Sequence, residues 1–535
     1  MFKNKPVAIS SLVVTLITFL FFLPSLGGEF IIQDDSLYIV GNPLIRQFDP
    51  DMVAQAFARA HCGWWMPLTW ISFAFDYHLW GLNPFGYHLH NMVLHALNAG
   101  LVVLIADRLC RQRPIAQAVS HLSAGSYPLF LLFTGLLFGL HPLRVESVAW
   151  VAERKDVLNG ILAFGAVFLY LGYARAREEQ AAGGWWQYGG ALLLFALSLM
   201  AKGSSVGLAV MLLVLDWYPL ERLRRETVWT VVLEKIPFLA AGAASAFATV
   251  YFVRENSALV SLEAFPFSQR LVVSGNSLWE YWRLFIFPLG LTPLHVIPDP
   301  IPAAYVVKAV AVALLLGWIF CTTRLKWLKA TLLCFILPLF PVLGFFQNGD
   351  QAYAARFTYL AALAQTFVTA VIIFRLLGKG VLQRRLATVA AVVLLAGSVA
   401  FALPLFADWR NTESYWTSII AREPLAINYK ERGRHYFTAG RYNLAIADFS
   451  AALERMTRSL EPYAYNLYGY RGEAYRMAGE PEKAVADFTR AIAGLPQPAY
   501  YHHRGLALRT LGRTAEAAED FRRAGPDPGP ISWYD

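Results

Sequence analysis

Two adjacent carboxylates, Asp34 and Asp35, stand in EFIIQDDSLYIVGNP, residues 29–43. The stretch follows the first apolar run of the chain and precedes several more. Paired acids at the mouth of a membrane helix are costly unless they are well solvated or take part in function. One reading leaves them as surface acids on a wet loop. The chemical reading lets one of them accept the proton of an attacking hydroxyl, which is a poor nucleophile until that proton is taken.

A second concentration is HPLRVESVAWVAERKD, which places His141, Arg144, Glu146, Glu153, Arg154, Lys155 and Asp156 at one membrane mouth. His141 and Glu146 are metal-ligand types, but two ligands at this spacing do not make a metal site. A hydrogen-bonded pair that fixes the loop is the plainer role. Arg154 and Lys155 either receive a phosphate or anchor the chain at the interface. Lys202, in LSLMAKGSS, lies between two apolar runs. It either snorkels or serves as a point charge for phosphate beside small residues. Arg356, in QAYAARFTYL, opens another apolar run, and a guanidinium there can grip two phosphate oxygens at once. His88, His90 and His95 punctuate FGYHLHNMVLHALNAG. His88 and His95 share one helical face, and with Asn91 and Asn98 they form a polar stripe suited to interhelical hydrogen bonds. Substrate contact is the alternative for that stripe. Cys62, Cys110, Cys321 and Cys334 show no paired spacing, which argues against a disulfide framework and a zinc site.

Membrane helices must position these groups. The chain has 535 residues, 57% apolar and 16% charged, with 16 Trp. That is too apolar for a soluble domain of this size, and the Trp content suits many interface crossings. The net charge of +9 raises nucleic acid as a partner. The basic residues, however, fall in short clusters between apolar runs, which is a topology signal and points to membrane lipids instead. Val7–Leu23 follows Lys3 and Lys5 and reads as a retained first helix with a cytoplasmic N-terminus. Short interfacial helices are expected at 51–61 and 67–80, with Trp64 and Trp65 at the interface. Further spans are expected near 86–106, 127–141, 157–173, 186–201, 204–220, 231–252, 303–322, 330–346, 357–375 and 387–406. Glu280 and Arg283 interrupt 271–289, which is expected at the interface or as a re-entrant element. About eleven crossings then place the basic clusters on the side of the N-terminus and the segment after Phe406 outside.

Beyond a polar connector, Gly433, Gly472 and Gly505 each precede a Phe at the same interval, at Phe449, Phe488 and Phe521. A small residue and an aromatic recurring about every 34 residues is the tetratricopeptide signature. The expected fold is all-α. Residues 1–407 form a polytopic membrane bundle, 408–425 a connector, and 426–535 a short solenoid of about three repeats. Carboxylates, cations and a lipid-accessible bundle at one face are the parts that sugar transfer from a lipid-linked phosphate needs.

WWMPLTWISFAFDYHLWGLNPFGYHLHNMVLHALNAG, FGLHPLRVESVAWVAERKDVL, LSLMAKGSSVGLAVMLLVLDWYPL and FPVLGFFQNGDQAYAARFTYL carry a further resemblance. They resemble bacterial membrane proteins with C-terminal tetratricopeptide repeats and the eukaryotic transmembrane O-mannosyltransferases of the TMTC family. That family is similar to GT-C glycosyltransferases, whose acidic motif after the first helix has the form D-E-x-x-aromatic. Asp34-Asp35-Ser36-Leu37-Tyr38 matches it with Asp at the second position. The resemblance implies Asp34 as catalytic base with Asp35 beside it. From their own positions, Arg356, Lys202, Arg154 and Lys155 are expected as donor-phosphate ligands, with His141, Glu146, Tyr38 and His88 shaping the site. The implied donor is a polyprenyl-phosphate hexose, mannose foremost, and the implied acceptor is Ser or Thr of an exported protein held by the repeats. Transfer to a glycan or lipid, or a non-enzymatic assembly role, are the alternatives. No organic cofactor is implied, and a divalent metal is left open. The expected location is a bacterial inner membrane with the repeats external.

Overall fold

The computed structural model describes residues 5–123, 125–180, 183–255, 265–298, 300–345, 351–456, 461–526, 528–529 and 531. Lys3, the end of the expected 330–346 span and the QNGD part of the motif before Arg356 lie outside these residues. The chain divides into two compact units, residues 1–410 and 411–535.

The first unit is helical because a backbone surrounded by lipid must satisfy its own hydrogen bonds. Every expected span is a helix. Among the described residues, six are long and apolar enough to cross a membrane unaided: Lys5–Gly27, Pro84–Cys110, Val151–Glu178, Val228–Phe252, Ala303–Thr322 and Val381–Asp408. Ser126–Gly139 and Pro142–Ala149 make a further, bent pair. This is a multi-pass membrane protein. The other four expected spans are shorter: Trp185–Ala201, Gly207–Trp217, Lys326–Leu339 and Ala362–Leu377. Each falls below the roughly 20 residues of a full crossing. Their helices break into turns at Gly203–Val206, Phe340–Val342 and Ala355–Thr358. Such breaks are tolerated at depth where protein, not lipid, surrounds the backbone. Residues 271–286 of segment 271–289 belong to one helix, Phe267–Ile286, whose Glu280 is buried between Arg283 Nε and Lys308 Nζ, each at 2.6 Å.

Small residues let the central helices approach closely. Ser11 Oγ donates to Gly100 O at 2.9 Å, and a Cβ on Gly135 would meet Val103 and Val14 at 2.6 and 2.8 Å. Association in lipid depends on such packing and on interhelical hydrogen bonds. The polar stripe of Pro84–Cys110 supplies the latter. His95 Nδ1 pairs with Tyr359 OH at 2.7 Å and its Nε2 with Gly139 O at 3.0 Å. Asn98 Nδ2 donates to Val157 O at 2.9 Å. The expected interfacial helices are Pro50–Ala58 and Pro67–Trp80. The second turns Trp70, Phe73 and Asp76 into the protein and leaves Phe75 and Leu79 exposed.

In the second unit, helices pair from Ala426–Thr438 with Tyr442–Glu454 through Pro498–Thr510 with Thr514–Ala524. A Cβ on Gly433, Gly472 or Gly505 would stand 2.7, 3.3 or 2.7 Å from the ring of Phe449, Phe488 or Phe521. Only glycine admits the ring, which is why the two residue types recur together. Each repeat adds a bidentate pair: Arg432 with Asp448, Arg471 with Asp487 and Arg504 with Asp520, each with a 2.7 Å contact. The stretch expected as a polar connector is instead largely helix, Thr412–Arg422. Its Tyr415, Trp416, Ile419 and Ile420 are buried at helical spacing, a short apolar stripe that polar neighbours conceal in the sequence.

Candidate active site

Asp34 and Asp35 occupy different environments. The Asp35 carboxylate is fully buried. Its Oδ2 accepts from Ile31 N and its Oδ1 from Ala152 N, both at 2.8 Å. One carboxylate thus ties the turn after the first helix to the 150–153 segment. Burial, opposed by those two amides, raises its pKa to about 7. Asp34 keeps 31% of its side chain exposed, with Oδ2 at 3.7 Å from Lys155 Nζ.

Lys155 stands in the first turn of the Arg154–Glu178 helix. Its ammonium lies 5.0 Å from the Tyr38 ring centre and 3.0 Å from Glu153 Oε1. Tyr38 packs edge-on against Trp70. Glu153, 1% exposed, also lies 3.2 Å from Arg356 Nε and 3.9 Å from Lys202 Nζ. Three cations therefore converge on one buried carboxylate. Lys202 pairs in addition with Asp156, and Arg356 with Glu146, whose Oε2 accepts from Arg356 N at 3.1 Å.

These groups sit where helices break. Glu153 ends the tight turn Val151–Glu153, Lys202 is the extended residue between Trp185–Ala201 and Gly203–Val206, and Arg356 lies in Ala355–Thr358. A break turns a charged side chain along the bundle instead of out of it. The Trp150 ring, stacked on Trp409 at 5.3 Å, backs Arg356 at 5.4 Å. Asp156, Asn159, Lys202, Ser204, Arg356 and Tyr359 line a narrow cavity beside the cations.

The structure gathers Asp34, Lys155, Lys202, Arg356, Glu146 and Tyr38 around this centre. Arg154 is directed elsewhere: it is buried against Asp76 Oδ2 at 2.6 Å, Tyr87 O at 2.9 Å and Asn91 Oδ1. His88 is buried beside Gly28. His141 accepts from Leu143 N, pairs with Phe285 O at 2.9 Å and stacks on the Phe285 ring. His141 and Glu146 thus fix the segment through separate partners and not as a pair. Among the described residues no three His, Cys, Asp or Glu side chains form a metal-ligand set. Sequence reasoning did not single out Glu153 and Asp156 from their charged neighbours. The available signal was the i,i+3 spacing of the two acids in ERKD, which turns both toward the same side of a helix.

Comparison with known proteins finds the repeats and a set of relatives. Tetratricopeptide-repeat models match residues 424–497 and 498–524. Protein O-mannosyl-transferase Tmtc2 of Drosophila melanogaster is 29% identical over 198 residues, 36% of this chain and 20% of that protein. Protein O-mannosyl-transferase TMTC1 of Mus musculus is 31% identical over 30% of this chain and 16% of its own length. The Homo sapiens TMTC1 protein is 30% identical over 30% of this chain and 17% of its own length. The matches therefore span about a fifth or less of those relatives. The chain is a TMTC-like multi-pass membrane protein, similar to part of the TMTC O-mannosyl-transferases, with tetratricopeptide repeats at its C-terminal end.

Proposed function

We propose that this protein transfers a hexose, mannose foremost, from a polyprenyl-phosphate donor to Ser or Thr hydroxyls of exported proteins, at the outer face of a bacterial inner membrane. The names its relatives carry support transfer to protein. The observation that carries the chemistry is the placement of Asp34: a solvent-reachable carboxylate beside Lys155, the first of three cations that converge on Glu153.

In this reading Asp34 takes the proton of the acceptor hydroxyl as its oxygen bonds to C1 of the sugar. The C1–O bond to phosphate breaks on the opposite side, so the configuration inverts, and the electron pair leaves with the phosphate. Lys155, Lys202 and Arg356 face that growing negative charge. Asp35 holds the Asp34 turn against the 150–153 segment. The repeats supply a surface for the acceptor polypeptide, the usual use of such solenoids.

Incubating membranes that contain the protein with labelled polyprenyl-phosphate hexoses tests the reading. Label should appear in protein. Label confined to glycan or lipid would change the acceptor, and no label in any fraction would remove the activity.

A further inference from the structure

Glu153 stands among three cations: its Oε1 lies 3.0 Å from Lys155 Nζ and 3.2 Å from Arg356 Nε, and its Oε2 lies 3.9 Å from Lys202 Nζ. Its charge therefore acts on all three. Opposite charges interleave around it. Three cations, Lys155, Lys202 and Arg356, meet three buried carboxylates, Glu146, Glu153 and Asp156, with the partly exposed Asp34 3.7 Å from Lys155. Glu146 and Asp156 each hold one cation closely, whereas Glu153 is shared by all three.

We infer that Glu153 is a positioning residue that sets phosphate affinity: it draws three cations toward one point and cancels one of their charges. The inference rests on the donor reading above. A sugar phosphodiester carries one negative charge, and the lipid phosphate left after transfer carries up to two. A site with a net positive charge would favour the more highly charged product over the donor, because the interaction scales with the product of charges. With Glu153 ionised that positive excess is removed, and the lipid phosphate can leave. Glu153 thus favours turnover at the expense of affinity.

The test uses the full-length protein in detergent, with a long-chain polyprenyl phosphate as probe and inorganic phosphate in parallel. Glu153→Gln should bind the lipid phosphate roughly tenfold more tightly than wild type. In turnover its KM and kcat should fall together, with stronger inhibition by the product lipid. Glu153→Asp keeps the charge and should stay close to wild type. The double variant Glu153→Gln with Lys202→Gln restores the wild-type net charge and should lose the tightening, which keeps the test open if the single variant folds poorly. Unchanged or weaker lipid-phosphate binding by folded Glu153→Gln, against a wild type that binds, overturns the inference. So does tightening for inorganic phosphate alone, or a double variant that stays tight. A folded wild type that binds neither probe instead removes the donor reading beneath it.

Discussion

Asp35 has both carboxylate oxygens engaged by backbone amides, whereas Asp34 remains partly open beside a lysine. A general base must reach its substrate, so the open carboxylate is the better candidate. Asp34→Asn keeps the shape but cannot take a proton, and turnover should fall about 10²–10⁴-fold with donor binding retained. Near-normal turnover in a correctly inserted Asp34→Asn protein would remove Asp34 as the base. Asp35→Asn places an amide donor against a backbone donor and should destabilise the fold by about 1–3 kcal/mol. Thermal unfolding in detergent reads this directly. Asp35 also predicts a pH dependence. Its pKa in the folded protein, about 7, lies above the ordinary 3.8 because burial disfavours the charged form. Its protonated state therefore stabilises the fold fully below about pH 4, and that contribution is lost as pH rises through about 7. The wild-type melting temperature should drop over this window by more than that of Asp35→Asn, and parallel curves would show that Asp35 does not titrate there.

At the scale of elements, the same packing logic serves both units: a glycine admits a neighbour that any side chain would exclude. In the repeats, Gly433→Ala would press a methyl on the Phe449 ring and cost about 1–3 kcal/mol through overpacking. Amide exchange within 426–454 should accelerate while exchange in Pro84–Cys110 stays unchanged; equal protection in both would show that the ring moves aside at no cost. The Arg–Asp pairs give a second element-scale expectation. Asp487 is nearly buried, and Arg471→Met removes its two short contacts and leaves it Arg490 at 3.6 Å. That should cost about 1.5–3 kcal/mol, whereas removing an exposed pair such as Arg513 with Glu516 should change little.

For the whole molecule, the boundary at Arg410 assigns the Thr412–Arg422 helix to the repeat unit. Truncation from Asn411 is therefore cleaner than truncation inside the repeats. If the repeats hold the acceptor, that truncation should spare transfer to a short peptide and reduce transfer to a natural protein acceptor. Equal loss on both would assign them a folding role. Orientation is tested independently. In a background without exposed native cysteines, Lys483→Cys should react with an impermeant thiol reagent in intact spheroplasts, and reaction only after lysis would reverse the topology.

The sequence by itself determined what depends on local pattern. Apolar runs had to become helices, because lipid offers the backbone no other partner. The recurring Gly and Phe specified the repeats, because one fills the space the other vacates. The polar stripe of His95 and Asn98 announced interhelical bonding by its spacing. Tertiary structure alone decided which charges met. Asp35 differs from Asp34 by its burial and by two backbone amides, Ile31 nearby and Ala152, 117 residues away. Arg356 reaches Glu146 across 210 residues, and Arg154 turns from Lys155 toward Asp76 across 78. Four short spans and the helix at Thr412–Arg422 likewise depend on neighbours that bury a broken or weakly apolar segment. Desolvation and ion pairing are set by whatever packs against a group, and no local period in the chain encodes that partner.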